Sequence, residues 1–173
     1  MPDVSYLPEP VVTPLDVYYF SGGNRANEPV TVDDDIALDD VMTDILANPQ
    51  PHPTVVYARD RPTIGPEELP DHQLKFDLDT EHNIAAVHLF CPRGFLPAGM
   101  TGEADDTTAW IALPRQPATP LLTGVTLYID RDTRTEFPRE AALPLSVLRS
   151  LLHEFMRTGK RPTCVDWQRT DIF

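Results

Sequence analysis

His153-Glu154 opens like the zinc motif HExxH, in which two imidazoles one helical turn apart hold the metal and the glutamate acts as a base. The second imidazole belongs at position 157, where Arg157 stands. The motif fails, and Glu154 reads as a solvated helix position. Asp77, Asp79 and Glu81 begin like a calcium loop, which then requires a glycine at 82 and an acid at 88. His82 and His88 occupy those places. His82, His88 and Glu81 are also metal-ligand types, but imidazoles six residues apart across a turn point to different places. Cys91 and Cys164 have no CxxC spacing and read as small, reduced core residues. No GxSxG, GxGxxG or GxxxxGK[ST] occurs, and Gly22-Gly23-Asn24 reads as a turn. No pair of carboxylates is marked for the burial and convergence that acid–base catalysis needs. The expectation is a protein that is not an enzyme, with no catalytic residue, no metal and no cofactor.

Composition bounds the alternatives. The 173 residues suffice for one domain with a real core, and 41% hydrophobic content fits a globular chain. Fourteen basic residues against 27 acidic ones give a net charge of −13. Such a surface repels nucleic acid and anionic lipid, and attracts basic protein partners. Solubility alone is the plainer explanation of the charge. No basic segment followed by an apolar run opens the chain, and no run of about 18 apolar residues occurs. A cytoplasmic location with reduced thiols is the expectation.

The periodicities give the elements. Residues 1–14 are proline-rich and read as an arm; residues 15–173 read as one domain. Leu15–Phe20 is a predicted strand. Asp33–Ala47 is a predicted helix with Asp33 as N-cap and a stripe of Leu38, Val41, Met42 and Ile45. Thr54–Ala58 is a short strand, and 59–72 a loop rich in proline and charge. Gln73–Leu78 and Ile84–Phe90 form a hairpin around residues 79–83. Residues 92–106 are a long loop, Thr107–Leu113 a strand with Trp110, and Gly124–Ile129 a further strand. The last helix starts with Pro144 at its first position and buries Leu145, Leu148, Leu151, Leu152 and Phe155. It stops at Gly159, with Lys160 and Arg161 at its negative end and Pro162 beyond. Thr163–Trp167 alternates as a final strand, with Trp167 and Trp110 expected in the core. This order predicts a single α+β domain: a mainly antiparallel sheet with two principal helices.

The segment FPREAALPLSVLRSLLHEFMRTGKRPTCVDW, residues 137–167, carries a resemblance. A Phe-Pro step precedes an apolar helix with Arg149 at its middle, and EFMRTGKRP leads into a strand with Asp166-Trp167. This resembles the first-numbered immunity-protein family of bacterial polymorphic toxin systems, in which an EF..TG.RP..V.W pattern is typical. The specific match covers about a fifth of the chain. The resemblance implies a cytoplasmic immunity protein that binds the C-terminal domain of a cognate secreted toxin, as a 1:1 heterodimer, and occludes its active site. It implies a toxin such as a nucleic-acid deaminase or nuclease, whose polyanionic substrate demands a basic cleft.

Three acidic clusters compete as the toxin-binding surface. Asp33–Asp35 with Asp39 and Asp40 is half explained by helix capping. Glu103, Asp105 and Asp106 sit on the long loop, and long loops in compact domains are often functional. Asp130, Asp132 and Glu136 follow a strand and mix with Arg131 and Arg134. The second cluster and then the third are the expected sites. Two other readings stand beside this one: an acidic adaptor or chaperone-like module for another basic protein, and an enzyme acting on a small molecule.

Overall fold

The computed structural model describes residues 12–59, 61–92, 95, 107–116 and 124–172. The elements are β1 (Leu15–Tyr18), β2 (Val30–Val32), α1 (Asp35–Ala47), β3 (Thr54–Ala58), β4 (Thr63–Ile64), β5 (Leu69–Pro70), β6 (Gln73–Asp79), β7 (Ile84–Pro92), β8 (Thr107–Leu113), β9 (Tyr128–Asp130), β10 (Thr135–Glu136), β11 (Leu143–Pro144), α2 (Leu145–Thr158) and β12 (Asp166–Thr170). Among the described residues the main sheet has eight strands, in the order β12-β8-β7-β6-β3-β1-β2, with β11 also paired to β7. Every pairing in it is antiparallel. This is the expected α+β fold with two helices.

The period of two along each strand assigns its faces. Leu15 and Val17, Val56, Leu74 and Phe76, Val87 and Leu89, and Ala112 turn to one side. There they meet Leu38, Val41, Met42 and Ile45 of α1 and Leu148, Leu151, Leu152, Phe155 and Met156 of α2. Burying each such large side chain stabilises the fold by about 1.5–3 kcal/mol. The opposite face is covered only in part. Leu127, Ile129, Phe137 and Ala141 pack there on Ala86 and Ile111. Asp77, which failed as a calcium ligand, anchors this cover. Its buried carboxylate accepts Tyr128 N–H at 2.8 Å and Arg131 Nη2 at 2.9 Å.

Several boundaries differ from the sequence reading. Asp34, not Asp33, caps α1, accepting Ala37 N–H at 2.7 Å. Pro144 stands one residue before α2 and pairs with Ile84. Residues 59–72 include the β4–β5 hairpin. Gly124–Leu127 is not strand, and β9 begins at Tyr128 because the chain first bends to seat Leu127 beneath Phe137 N–H, which bonds its carbonyl at 2.8 Å. The final strand begins at Asp166 rather than Thr163.

Glu154 explains that last shift, and it is not a solvated bystander. Its carboxylate accepts Thr163 N–H at 2.7 Å, Thr163 Oγ1 at 2.6 Å and Cys164 N–H at 3.1 Å. Residues 163 and 164 therefore bond a helix side chain and leave strand pairing to their successors. Burial alone would raise the Glu154 pKa, but these three bonds outweigh it and hold the carboxyl below its usual range. Gly159 turns the chain at φ 61°, and a Cβ there would lie 2.9 Å from Thr13 Oγ1. Arg161 then lies 4.4 Å from the Trp110 ring centroid and 6.0 Å from that of Trp167. Both tryptophans are half-buried and pack against the core rather than lying within it as expected, because each shares its ring with the Arg161 guanidinium.

Glu154→Ala strands two backbone donors and should cost about 1–3 kcal/mol of unfolding free energy, read by urea denaturation. Glu154→Gln should cost less, because its remaining carbonyl can still accept from Thr163. A second expectation concerns pH. His72 and His88 are buried, and burial pushes both imidazoles below their ordinary value of 6.5. The unfolded chain then binds these protons first as pH falls. The stability they lend is complete above pH 6.5 and drains away below it. Tm should therefore drop between pH 7.5 and pH 5 in a scanning calorimeter; a level Tm would contradict this.

Candidate functional site: an open groove beside a projecting hairpin

The cover over the outer face ends at β6, so the outward side chains of β1 and β3 remain open. Asp16, Tyr18, Val55 and Tyr57 form the floor of a groove of about 830 Å³. Arg59, Arg61, Pro62, Thr63 and Pro70 line its side. The two tyrosines meet edge to face, with ring centroids 5.9 Å apart at 83°. Gln73 Nε2 donates to Tyr57 Oη at 2.8 Å. Asp16 accepts Thr31 Oγ1 at 2.6 Å and pairs with Arg59 Nε at 3.1 Å.

Behind the groove runs a buried polar chain. Arg61 presents Nε and Nη2 to the two oxygens of Asp71, at 3.2 and 3.0 Å. The second bond of Asp71 Oδ1 is to His72 Nδ1 at 2.7 Å, and His72 Nε2 accepts Ala58 N–H at 2.8 Å. The Arg61 guanidinium also lies 4.1 Å from the Phe95 ring centroid. An Asp–His pair beside a groove invites a catalytic reading. The geometry rejects it, because Nε2 is the atom a base would use and Ala58 N–H already fills it. That bond leaves Nδ1 as the donor to Asp71, so the imidazole is neutral, in keeping with its lowered pKa. The arrangement holds shape; it has no free base to offer a substrate.

The expected site residues fall in different places. Glu103, Asp105 and Asp106 lie outside the described residues. Asp130 accepts Asp132 N–H at 2.8 Å and Thr133 N–H at 3.1 Å, so its carboxylate closes its own turn. Those bonds, Thr133's foremost, hold it below the usual carboxylate range. Asp132 and Glu136 are exposed, and their carboxylates make no ion pair among the described residues. In the α1 cluster, Asp35 and Asp39 contact His153 at 2.7 and 2.9 Å, and Asp39 also takes Arg149 at 2.8 Å. These carboxylates are occupied in joining α1 to α2. The candidate metal ligands part company: His82 Nδ1 meets Asp79 at 2.9 Å, while His88 Nε2 meets the Ile172 carbonyl at 2.8 Å.

Sequence reading missed the groove. Its signal was present in Tyr18 and Tyr57, which hold the outward phase of two alternating strands. The hairpin was also signalled, by Ile64 and Leu69 on either side of Gly65-Pro66.

Among the described residues no helix is long and apolar enough to cross a membrane. No curated protein matches the chain. The family model described as Immunity protein Imm1 matches residues 26–169. The match runs from the turn before β2 into β12, through both helices, β3 and the β4–β5 hairpin, and leaves out β1, which supplies Asp16 and Tyr18 to the groove floor. The resemblance first carried by residues 137–167 thus extends over most of the molecule, and the chain belongs to the Imm1 family of immunity proteins.

Proposed function

We propose that this protein binds the C-terminal toxin domain of a cognate secreted bacterial toxin and neutralises it by occluding the active site. The carrying observation is the family membership, which spans the fold. The toxin is a nucleic-acid deaminase or nuclease, and its cleft is basic because its substrate is a polyanion. A partner of charge −13 complements such a cleft and is steered toward it. Binding is 1:1, takes place in the cytoplasm, and involves no reaction on the part of this chain.

Glu103, Asp105 and Asp106 supply one acidic contact. In the 130–136 turn the contact falls to Asp132 and Glu136, since Asp130 is spent on the turn itself. The groove face and the β9–β10 hairpin share the outer side of the sheet, opposite the helices. On this side the carboxylates of Asp132 and Glu136 are without ion-pair partners among the described residues, whereas Asp35 and Asp39 of α1 are tied to α2.

Growth rescue tests the reading. The toxin domain encoded upstream is expressed in a bacterial host with and without this protein, and survivors are counted. Full protection by the wild type is expected. Reversing Asp132, Glu136, Glu103, Asp105 and Asp106 to lysine should slow association by roughly tenfold or more at low salt and weaken protection. Toxicity that the wild type leaves unchanged would overturn the pairing and favour an adaptor for another basic protein.

A further inference from the structure

Residues 62–70 are all exposed, and β4 and β5 pair only with each other among the described residues. A hairpin of two residues a side has no stability of its own. Here its base is gripped from behind: Arg61 and Asp71, the residues flanking the stretch, form the two-pronged ion pair, and Phe95 and His72 hold that pair in turn. The hairpin is therefore pre-shaped although none of it is buried.

What it displays is apolar and acidic together. Ile64 is 54% exposed and Leu69 53% exposed. They are direct cross-strand partners, so their side chains stand side by side on one face of the ribbon. A single exposed apolar side chain, such as Ile36 at 75%, is ordinary. A paired one on a projecting ribbon gains nothing for the free protein. Between them the turn carries Glu67 and Glu68, whose carboxylates make no hydrogen bond or ion pair among the described residues. Gly65 at φ 73° and Glu68 at φ 51° set the turn. Glu68 holds a left-handed backbone that glycine or asparagine would adopt more easily, and nothing in the core calls for a glutamate there.

Resting on the reading that the partner is a polyanion-processing toxin, we propose that the β4–β5 hairpin is the plug that enters the toxin cleft. Glu67 and Glu68 meet the basic groups that otherwise bind phosphate. Ile64 and Leu69 fill the apolar floor that otherwise receives a base. The rim of the cleft then seats on Tyr18 and Tyr57 in the adjoining groove. Because the hairpin is held from its base, little ordering is lost on binding.

The test is calorimetric titration of the purified toxin domain with wild type, Ile64→Ser/Leu69→Ser, Glu67→Lys/Glu68→Lys and the control Ile36→Ser. The first double variant should weaken binding about a hundredfold, as expected for a hot-spot pair, and the second about tenfold or more. All three variants should keep the wild-type Tm, since every changed side chain is exposed, and Ile36→Ser should bind normally. A short single-stranded oligonucleotide should compete with the wild type for the toxin. Unchanged affinity in both double variants overturns the plug while leaving the immunity reading intact. Simultaneous binding of wild type and oligonucleotide places the hairpin away from the cleft and also overturns it. A wild type that fails to bind any toxin domain encoded beside it overturns both.

Discussion

The ion pair between Arg61 and Asp71 connects the part of this protein that faces outward to the part that folds it. Residues 62–70 contribute no buried side chain, so no hydrophobic term fixes their position. The fork does so instead, and it is itself fixed at both ends. Arg61 lies on Phe95, which packs 5.7 Å from Phe155 of α2, centroid to centroid. Asp71 is held by His72, whose other nitrogen accepts the last amide of β3. A buried pair of this kind adds little net stability, because desolvating two charges offsets their attraction. Its contribution is to geometry. It carries the rigidity of the helix-backed core to a ribbon that could not otherwise keep one shape.

The two faces of the sheet divide the remaining work. One face is closed by α1 and α2 and is mainly apolar, with Thr54 and His72 as buried polar exceptions. The other is closed over β6–β8 by the β9–β10 segment pinned to Asp77, and left open over β1 and β3. The open half carries tyrosines with partnered or reachable hydroxyls and a salt bridge between Asp16 and Arg59. Amphipathic rings of this type tolerate water in the free protein and lose little when a partner covers them. For a family defined by immunity, a well-shaped outer face is the relevant property. The buried histidine behind it is capped by a backbone amide, and carboxylates without partners are set at the hairpin tips.

Much of the fold was legible because its signals are local. The α1 and α2 stripes, β3, the β6–β7 hairpin and β8 follow from periods of 3.6 and 2, and Gly159-Lys160-Arg161-Pro162 marks a helix end. The errors arose where a distant side chain competes with local preference. Glu154 captures residues 163 and 164 and so delays β12. Leu127 is drawn into the outer cluster and shortens the strand expected from Gly124. At the candidate site, charge drew attention to acidic runs, but charge alone cannot distinguish a carboxylate that closes a turn, such as Asp130, from a free one, such as Asp132. Ile64 and Leu69 flank Gly65-Pro66 as a short hairpin would require, but they stand in a segment whose prolines and charges suggested only a loop. Its order depends on Asp71 and His72, and no local pattern announces that pairing.

Hydrogen–deuterium exchange of the toxin complex, compared with the free protein, tests most directly whether neutralisation works through the outer face. Slowed exchange is expected in residues 54–72 and around 128–136, with α1 and the exposed side of α2 unchanged. Protection confined to α1 and α2, with residues 54–72 exchanging as in the free protein, would contradict it.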